Sequence, residues 1–369
     1  MGAALARVMK RHLLVTNDFP PKVGGIQSYL GELWRRLPPA DVTVLTTPQR
    51  GWEAFDATQP YRIVRTKEQV LLPTSSLRRR IDALAAEVGA ELVVLDPALP
   101  IGRLGPTLGL PYAVIVHGAE ITVPGRMPVA DKLLGDVLRG ATHVIAAGSY
   151  PLAEAERAAG RPLDATVVSP GVDTALFHPL SADERRQARM ALGLPVDPPL
   201  VMGISRLVPR KGFDVLIRAM RDVPGAHLAI AGAGRDRGRL QRLATGLPVT
   251  FLGRVPFEQL PDAYGCADVF AMPCRNRWAG LEQEGFGIVF LEAAVAGVPC
   301  VAGDSGGVRD AVADGVTGIV VDDPTDPAAV AAAVRAVLTA RDEMASAARA
   351  RTVAEFDYDL LAARLEAAL

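Results

Sequence analysis

Short runs of apolar residues recur along the chain, and between them apolar residues repeat with the spacing of a helix. Uninterrupted runs of this length are typical of strands buried on both faces of a parallel sheet. The stretches between them have the pattern of amphipathic helices. The alternation therefore predicts an α/β fold of doubly wound sheets. The runs that carry this prediction are residues 12–16, 42–46, 91–95, 112–116 and 142–147, followed by 199–205, 227–231, 249–255 and 267–273.

The same order of elements starts twice, which indicates two domains of similar construction. A chain of 369 residues is also long for a single hydrophobic core. Residues 169–173 (Ser-Pro-Gly-Val-Asp) interrupt regular structure, so we place the linker there. We predict one Rossmann-like domain over residues 1–172 and a second over residues 173–350. We expect the Ala-rich end, residues 351–369, to pack back on the first domain.

Two features of the first half suggest ligand contacts. Gly24 and Gly25 lie between a proline-rich loop and a helix-like stretch. Glycines in this position let backbone N–H groups approach a phosphate, although a tight turn without a ligand would use the same residues. His117 follows the run 112–116. Ligands bind at the carboxyl ends of strands in open α/β sheets, so we expect His117 to contact one, with a satisfied loop histidine as the alternative.

In the second half, two carboxylates bracket a glycine-flanked apolar segment. Glu292 follows Glu284 by eight residues, and good helix formers continue to Gly297. We predict Glu284 in the loop before a helix and Glu292 about two turns along it, which separates them by roughly 12 Å. This is about the span of a sugar, a diphosphate and a ribose, and the helix N-terminus between them favours an anion. The alternative is that both are ordinary helix charges.

Two cations follow the run 199–205 closely. Arg206 and Lys211 are placed to bind a diphosphate, the arginine as a fork and the lysine as a point charge, although two surface cations would give the same pattern. At residues 249–255, the backbone of Arg254 and Val255 is a candidate contact for a nucleotide base.

Composition and charge exclude several classes of protein. Apolar residues make up 49% of the chain and charged residues 22%, which is typical of globular proteins. The net charge of −1 argues against a general nucleic-acid binder. The three cysteines lack metal-type spacing, and we expect free thiols. They are Cys266, Cys274 and Cys300.

Membrane contact is a separate question. No apolar run has the length of a membrane span or of a signal-peptide core, so we expect a cytoplasmic protein. One amphipathic stretch carries Arg78, Arg79 and Arg80 together. Such a stretch can lie against anionic lipid, or it can simply face solvent.

Taken together, these motifs resemble the retaining glycosyltransferases of family 4, which have the GT-B fold of two facing Rossmann-like domains. The resemblance covers nearly the whole chain. It rests on the ordered set of the glycine pair after Pro20-Pro21, the linker sequence, Arg206 with Lys211, and the two glutamates. More narrowly, residues 17–30 and the Met-Pro-Cys-Arg run at 272–275 resemble the actinobacterial mannosyltransferases that act on phosphatidylinositol monomannoside.

The resemblance implies transfer of mannose from GDP-mannose to an anionic lipid acceptor at the inner face of the plasma membrane, without cofactor or metal ion. Arg206 and Lys211 would neutralise the leaving diphosphate, while Glu284 and His117 would contact the sugar. The first domain would bind the acceptor and the second the donor. The donor-binding residues implied are Gly24, Gly25, Arg206, Lys211, Arg254, Val255, Glu284, Gly285, Phe286, Gly287, Ile288 and Glu292.

Other functions remain open at this stage. A family 4 transferase could use a UDP-sugar and a soluble acceptor, because the base is contacted largely by backbone. A GT-B-like sugar-nucleotide epimerase would need acid/base residues around the sugar carbon, for which His117 and Glu284 are the candidates. An NAD-dependent dehydrogenase would need a complete glycine fingerprint, and Gly232-Ala233-Gly234 lacks the third glycine at the required spacing.

Overall fold

The computed structural model describes residues 9–122, 125, 128–278 and 280–369. The chain divides into two compact units at Pro170, and the second unit ends at Asp357. The final segment, Tyr358–Leu369, belongs to the first unit. Residues 351–357, which we expected with the first domain, belong to the second unit, because most of them continue the helix Arg341–Glu355.

The first unit is built on a parallel sheet with the strand order β3-β2-β1-β4-β5-β6-β7 among the described residues. The order reverses between β1 and β4, and the register places Thr16 opposite Asp96 at the carboxyl ends of these two strands. The elements are β1 (His12–Thr16), α1 (Gly25–Trp34), β2 (Val42–Thr46), α2 (Trp52–Asp56), β3 (Arg62–Arg65), α3 (Ser75–Val88), β4 (Leu92–Asp96), β5 (Tyr112–Val116), α4 (Ala119–Thr122), α5 (Pro128–Gly140), β6 (His143–Ala146), α6 (Ser149–Ala159) and β7 (Ala165–Val167).

Both faces of this sheet are covered, which explains why β1, β2, β4 and β5 are fully buried. Alternate residues of β1 enter different cores: Leu13 and Val15 pack on one face and Leu14 on the other. The returning helix of the first unit packs beside α1, with Tyr358 and Leu361 buried in the same core as Leu14.

The second unit repeats the design with the strand order β10-β9-β8-β11-β12-β13, again all parallel. The order reverses between β8 and β11, where an open α/β sheet forms its ligand crevice. The elements are α7 (Ala182–Ala191), β8 (Leu200–Ile204), α8 (Phe213–Ala219), β9 (His227–Ala231), α9 (Arg237–Leu243), β10 (Val249–Gly253), α10 (Leu260–Gly265), β11 (Val269–Met272), α11 (Ile288–Val295), β12 (Cys300–Gly303), α12 (Val308–Ala311), β13 (Gly318–Val321), α13 (Pro327–Thr339), α14 (Arg341–Glu355) and, returning to the first unit, α15 (Tyr358–Ala368).

The structure also bears on membrane and metal chemistry. All three cysteines are free thiols and are buried in the second unit. Over the described ranges, no helix is both long enough and apolar enough to cross a bilayer. Within the same ranges, no three side chains of His, Cys, Asp or Glu are grouped as a metal site requires.

Candidate active site

Glu284 lies in the loop before α11, and its carboxylate is buried against two cations. Lys211 Nζ donates to Glu284 Oε2 at 2.6 Å, and Arg210 Nη1 donates to the same oxygen at 2.9 Å. Burial on its own would raise the pKa of Glu284, but Lys211, Arg210 and Arg206 lower it overall. The carboxylate is therefore ionised at neutral pH. Its second oxygen, Oε1, makes no hydrogen bond to any described residue.

The turn after β8 brings the two cations to this carboxylate. Residues Pro209–Lys211 form a single 3-10 turn that ends at Gly212, which has a φ of 72°. A Cβ on Gly212 would lie 1.9 Å from the carbonyl oxygen of Pro273, so only glycine allows the chain after β8 to pack on the chain after β11. Arg210 was not among the residues predicted from the sequence, although it stands next to Lys211.

The backbone of Glu284 is held by the loop that follows β12. Its N–H donates to Ser305 Oγ at 3.0 Å, and Ser305 Oγ donates to Asn276 Oδ1 at 2.7 Å. A Cβ on Gly306 would lie 1.9 Å from the carbonyl oxygen of Glu284, and one on Gly307 would lie 2.3 Å from the next carbonyl oxygen. Two glycines about 20 residues away in sequence therefore set the path of this loop.

The N-terminus of α11 presents free backbone donors. The N–H groups of residues 285–289 donate no hydrogen bond to any described residue, and Gly287 caps the helix with a φ of 91°. The partial positive charge of a helix N-terminus favours an anion here. The side chain of Phe286 is buried and packs edge-on against Phe356, with ring centroids 5.9 Å apart. Phe286 can therefore serve a ligand only through its backbone.

Glu292 lies on α11 in a different environment. Tyr264 OH donates to Glu292 Oε2 at 2.5 Å, and no cation pairs with this carboxylate among the described residues. Burial raises the pKa of Glu292, and the hydrogen bond from Tyr264 only partly opposes that effect. Neither glutamate is thus an ordinary solvent-facing helix charge, which was the alternative interpretation of the sequence.

The remaining predicted donor residues lie at neighbouring strand ends. Arg206 is exposed and its side chain makes no hydrogen bond or ion pair within the described chain, but its charge contributes to the low pKa of Glu284. Arg254 and Val255 directly follow β10, the edge strand of the sheet.

Gly232-Ala233-Gly234 has a structural explanation. A Cβ on Gly232 would lie 1.8 Å from the carbonyl oxygen of Ser205, and one on Gly234 would lie 2.2 Å from that of Leu207. Leu207 N also donates to Ala233 O at 2.9 Å. The glycines let the loop after β9 pack on the loop after β8, so they do not indicate a dinucleotide site.

In the first unit, a buried carboxylate orients His117. Asp96 Oδ1 lies 2.7 Å from His117 Nε2, and Asp96 Oδ2 accepts a hydrogen bond from Thr16 Oγ1 at 2.5 Å. Burial alone lowers the pKa of His117, but Asp96 and more distant carboxylates, including Glu120, raise it overall. Sequence reasoning missed Asp96. Its signal was available, because the run 91–95 ends at Asp96 and parallel strands meet at their carboxyl ends.

The glycine pair is connected to the same network. The helix α1 begins at Gly25, and its first three N–H groups donate to no described residue. A Cβ on Gly24 would lie 2.1 Å from Gln27 Oε1. Gln27 Nε2 donates to Asp18 Oδ1 at 2.5 Å, and the N–H of Asp18 donates to Thr16 Oγ1 at 2.8 Å. The helix start and the His117 environment are thereby held together within the first unit.

The basic stretch on α3 is largely compensated by nearby carboxylates. Arg78 Nη1 donates to Asp82 Oδ2 at 2.9 Å, and Arg80 Nη1 donates to Glu68 Oε2 at 3.4 Å. Arg79 is exposed and has no side-chain partner in the described part of the chain. One arginine of the three is therefore free to meet an external anion.

Comparison with known proteins places the chain. Residues 184–352 match the model of the family described as "Glycosyl transferases group 1". A GDP-mannose-dependent alpha-(1-6)-phosphatidylinositol monomannoside mannosyltransferase from Mycobacterium tuberculosis is 40% identical, over 97% of both chains. A GDP-mannose-dependent monoacylated alpha-(1-6)-phosphatidylinositol monomannoside mannosyltransferase from Corynebacterium glutamicum is 34% identical, over 96% of this chain and 97% of that one. HepE from Anabaena, solved in complex with UDP, has the same fold, with a TM-score of 0.78 at 22% identity over 97% of this chain and 98% of that one.

The chain belongs to the group 1 glycosyl transferases and has the GT-B fold, as the sequence motifs predicted. Its end-to-end relatives in that family are mannosyltransferases named for GDP-mannose and phosphatidylinositol monomannoside.

Proposed function

We propose that this protein transfers mannose from GDP-mannose to a phosphatidylinositol monomannoside, with retention of anomeric configuration. The end-to-end match to relatives named for this donor and this class of acceptor carries the proposal. Because the relatives' names differ in the acylation of the acceptor, that detail is left to experiment.

The second unit would hold the donor. Lys211 and Arg206 bind the diphosphate together with the free N–H groups at the start of α11. Glu284 accepts hydroxyl hydrogens of the sugar through Oε1, since Oε2 is occupied by Lys211 and Arg210. Glu292 accepts from the ribose hydroxyls, and the Arg254–Val255 backbone contacts the base.

Transfer then depends on charge stabilisation. Negative charge grows on the diphosphate as the bond to the sugar breaks, and preorganised cations stabilise that charge without having to rearrange. The leaving phosphate takes the proton of the acceptor hydroxyl. His117 contacts the sugar through Nδ1, because Asp96 engages Nε2. The first three N–H groups of α1, beginning at Gly25, offer a further phosphate contact.

Two further points belong to this proposal. Lys211 and Arg206 supply the positive charge that a metal ion gives in other transferases, so we propose that no metal is needed. Because the acceptor is a lipid, we place the protein at the cytoplasmic face of the membrane as a peripheral protein. Arg79 is the side chain of the α3 stretch that is free to meet an anionic headgroup.

The test begins with calorimetric titration of GDP, UDP and GDP-mannose into the purified protein with a chelator present. We expect selective binding of GDP and GDP-mannose, and weaker binding of both in Lys211→Ala. A transfer assay then compares phosphatidylinositol monomannoside with a soluble inositol phosphate as acceptor. Selective binding of UDP, or product on the soluble acceptor alone, would instead favour a transferase that uses a UDP-sugar and a soluble acceptor. Conversion of the sugar nucleotide without transfer would identify an epimerase.

A further inference from the structure

A basic cavity lies in the second unit at the amino ends of β8 and β11. This is the opposite edge of the sheet from the crevice that contains Glu284. The cavity has a volume of about 400 Å³ and is lined by four arginines, three of which pair with Asp268. These arginines are Arg185, Arg186, Arg189 and Arg341.

Asp268 cannot satisfy all of these arginines. Its Oδ2 accepts from Arg189 Nη2 and from the N–H of Leu200, both at 2.7 Å. Its Oδ1 accepts from Arg185 Nη2 at 2.5 Å and lies 3.3 Å from Arg341 Nε. A carboxylate can accept about four hydrogen bonds, and Asp268 accepts three, while Arg341 Nε lies near it without donating a fourth.

One arginine belongs to the framework. Arg189 donates through Nε to Cys266 O and through Nη1 to Val196 O and Pro198 O, in addition to its bond to Asp268. Four of its five N–H groups are therefore bonded within the protein. Its role is to fasten α7 to the segments before β8 and β11.

The other three arginines keep most of their donors free. Arg185 uses only Nη2, which donates to Ala267 O and Asp268. Arg341 donates through Nη1 to Asp342, and its buried Nε has no hydrogen-bond acceptor. The side chain of Arg186 is exposed and bonds to no described residue. The lining also includes Asp197, which pairs with none of these arginines. The cavity is therefore lined by four cations and two carboxylates, those of Asp197 and Asp268.

We propose that this cavity binds a phosphate group. Guanidinium forks match phosphate oxygens, and a phosphate offers acceptors for the arginine donors that Asp268 leaves unbonded. The volume exceeds that of inorganic phosphate alone and falls at the low end of small-molecule sites. It fits either a small phosphorylated metabolite or a phospholipid headgroup. The proposal concerns the edge of the sheet away from the donor residues, so it stands or falls independently of the proposed reaction.

The test is a ³¹P NMR titration of inorganic phosphate with the full-length protein at constant ionic strength. All samples carry Lys211→Ala, which weakens phosphate binding near Glu284. We expect the added pair Arg186→Ala and Arg341→Ala to weaken phosphate binding by at least about tenfold, because each removes charge-assisted hydrogen bonds. Arg189 is left intact because its bonds hold the fold.

The matched control replaces Arg237 and Arg242 on α9 by Ala, which removes the same net charge from exposed, unpaired positions of the same unit. Equal phosphate affinity in the cavity variant and the control variant would overturn the proposal, and so would an absence of binding in the parent. Melting curves of both variants establish that each is folded.

Flotation with vesicles distinguishes the two sources of phosphate. If the ligand is a headgroup, the cavity variant floats less than the control with phosphatidylinositol vesicles and equally with phosphatidylcholine vesicles. If the ligand is a soluble phosphate ester, the cavity variant loses phosphate binding but floats as the control does.

Discussion

Glu284 and Glu292 stand at the two ends of one short segment, and their surroundings differ in a way that spacing does not reveal. Glu284 is paired with Lys211 and Arg210, and its pKa is lowered. Glu292 has a single neutral partner, Tyr264, and its pKa is raised by burial. The first carboxylate is fixed as an anion beside cations, whereas the second is a hydrogen-bonding group that burial drives towards its neutral form.

The difference suggests that the two glutamates serve different parts of the donor. Charge is arranged where the diphosphate and the reacting sugar would lie, so that the cations there need not reorganise. The hydroxyl groups of a ribose are neutral, so they need hydrogen-bond partners but no countercharge. Changes at Glu284, Lys211 and Glu292 test this difference, and a change on α3 tests the same distinction between a paired and an unpaired charge.

We expect the largest effect from Glu284→Gln. This change leaves Lys211 and Arg210 buried without their shared carboxylate, which costs on the order of 3–5 kcal/mol in free energy of unfolding at pH 7. The folded-state pKa of Glu284 lies below its ordinary value of 4.5, so its stabilising contribution is complete above pH 4.5. That contribution disappears as the pH falls through the folded-state pKa. Denaturant unfolding between pH 7 and pH 3 measures it, and a variant as stable as the wild type at pH 7 would contradict the pairing.

Lys211→Ala should lower kcat/KM for GDP-mannose by about 100- to 1,000-fold, since one preorganised charge at the diphosphate is lost. Arg210 remains to neutralise Glu284, so the fold should persist. The control is Arg221→Ala, an exposed arginine of the same unit with no ion-pair partner among the described residues. Similar losses in both variants would show that the general charge of the unit matters rather than the position of Lys211.

Glu292→Gln should stabilise the protein at high pH, whereas Glu284→Gln should destabilise it. Its folded-state pKa is raised, so its favourable contribution is complete below the ordinary value of 4.5 and is lost as the pH rises through the folded-state pKa. Glutamine keeps the neutral form at every pH. We therefore expect the variant to be more stable than the wild type at pH 8, by about 1 kcal/mol or less, with the gain vanishing near pH 4. Destabilisation at pH 8 would mean that Glu292 has a cationic partner.

We expect the smallest effect, on membrane affinity, from the arginines of α3, which also include paired and unpaired charges. Because Arg78 and Arg80 pair with carboxylates, Arg79→Ala alone should weaken flotation with anionic vesicles as much as the triple Ala variant does. The expected loss is about 1 kcal/mol in membrane affinity, the value for one basic residue at an anionic surface. The control is Arg103→Ala, which replaces an exposed arginine elsewhere in the first unit. Unchanged flotation in the triple variant would remove this helix from membrane attachment.

The fold was predictable because buried parallel strands leave an unmistakable pattern. The apolar runs of the sequence correspond to strands in the same order, and the break at residues 169–173 contains the boundary after Pro170. The extent of the returning segment was not predictable. Residues 351–355 contain no glycine or proline that would mark a helix end, and only packing decides that they continue α14.

The sequence indicated candidate residues for a site, but it did not indicate how they pair. Strand ends and a helix start drew attention to His117, Lys211 and Glu284. However, the contact between Lys211 and Glu284 joins residues 73 positions apart and depends on how the chain after β8 packs on the chain after β11. No local pattern shows that Arg210 shares the same oxygen. Asp96 could have been predicted from the sequence, because it ends β4, and β4 pairs with β5, the strand that precedes His117.

The glycines at 306 and 307 limit how the loop that carries Glu284 can change in this protein. A methyl group at Gly306 would collide with the carbonyl oxygen of Glu284 at 1.9 Å, so the path of that loop is tied to a second loop. A side-chain change confined to residues 284–288 leaves that path in place. A different backbone path there requires residues 305–307 to be rebuilt at the same time. A library that randomises only the first loop will therefore explore new side chains on an unchanged scaffold, and laboratory evolution towards another sugar would have to draw substitutions from both loops together.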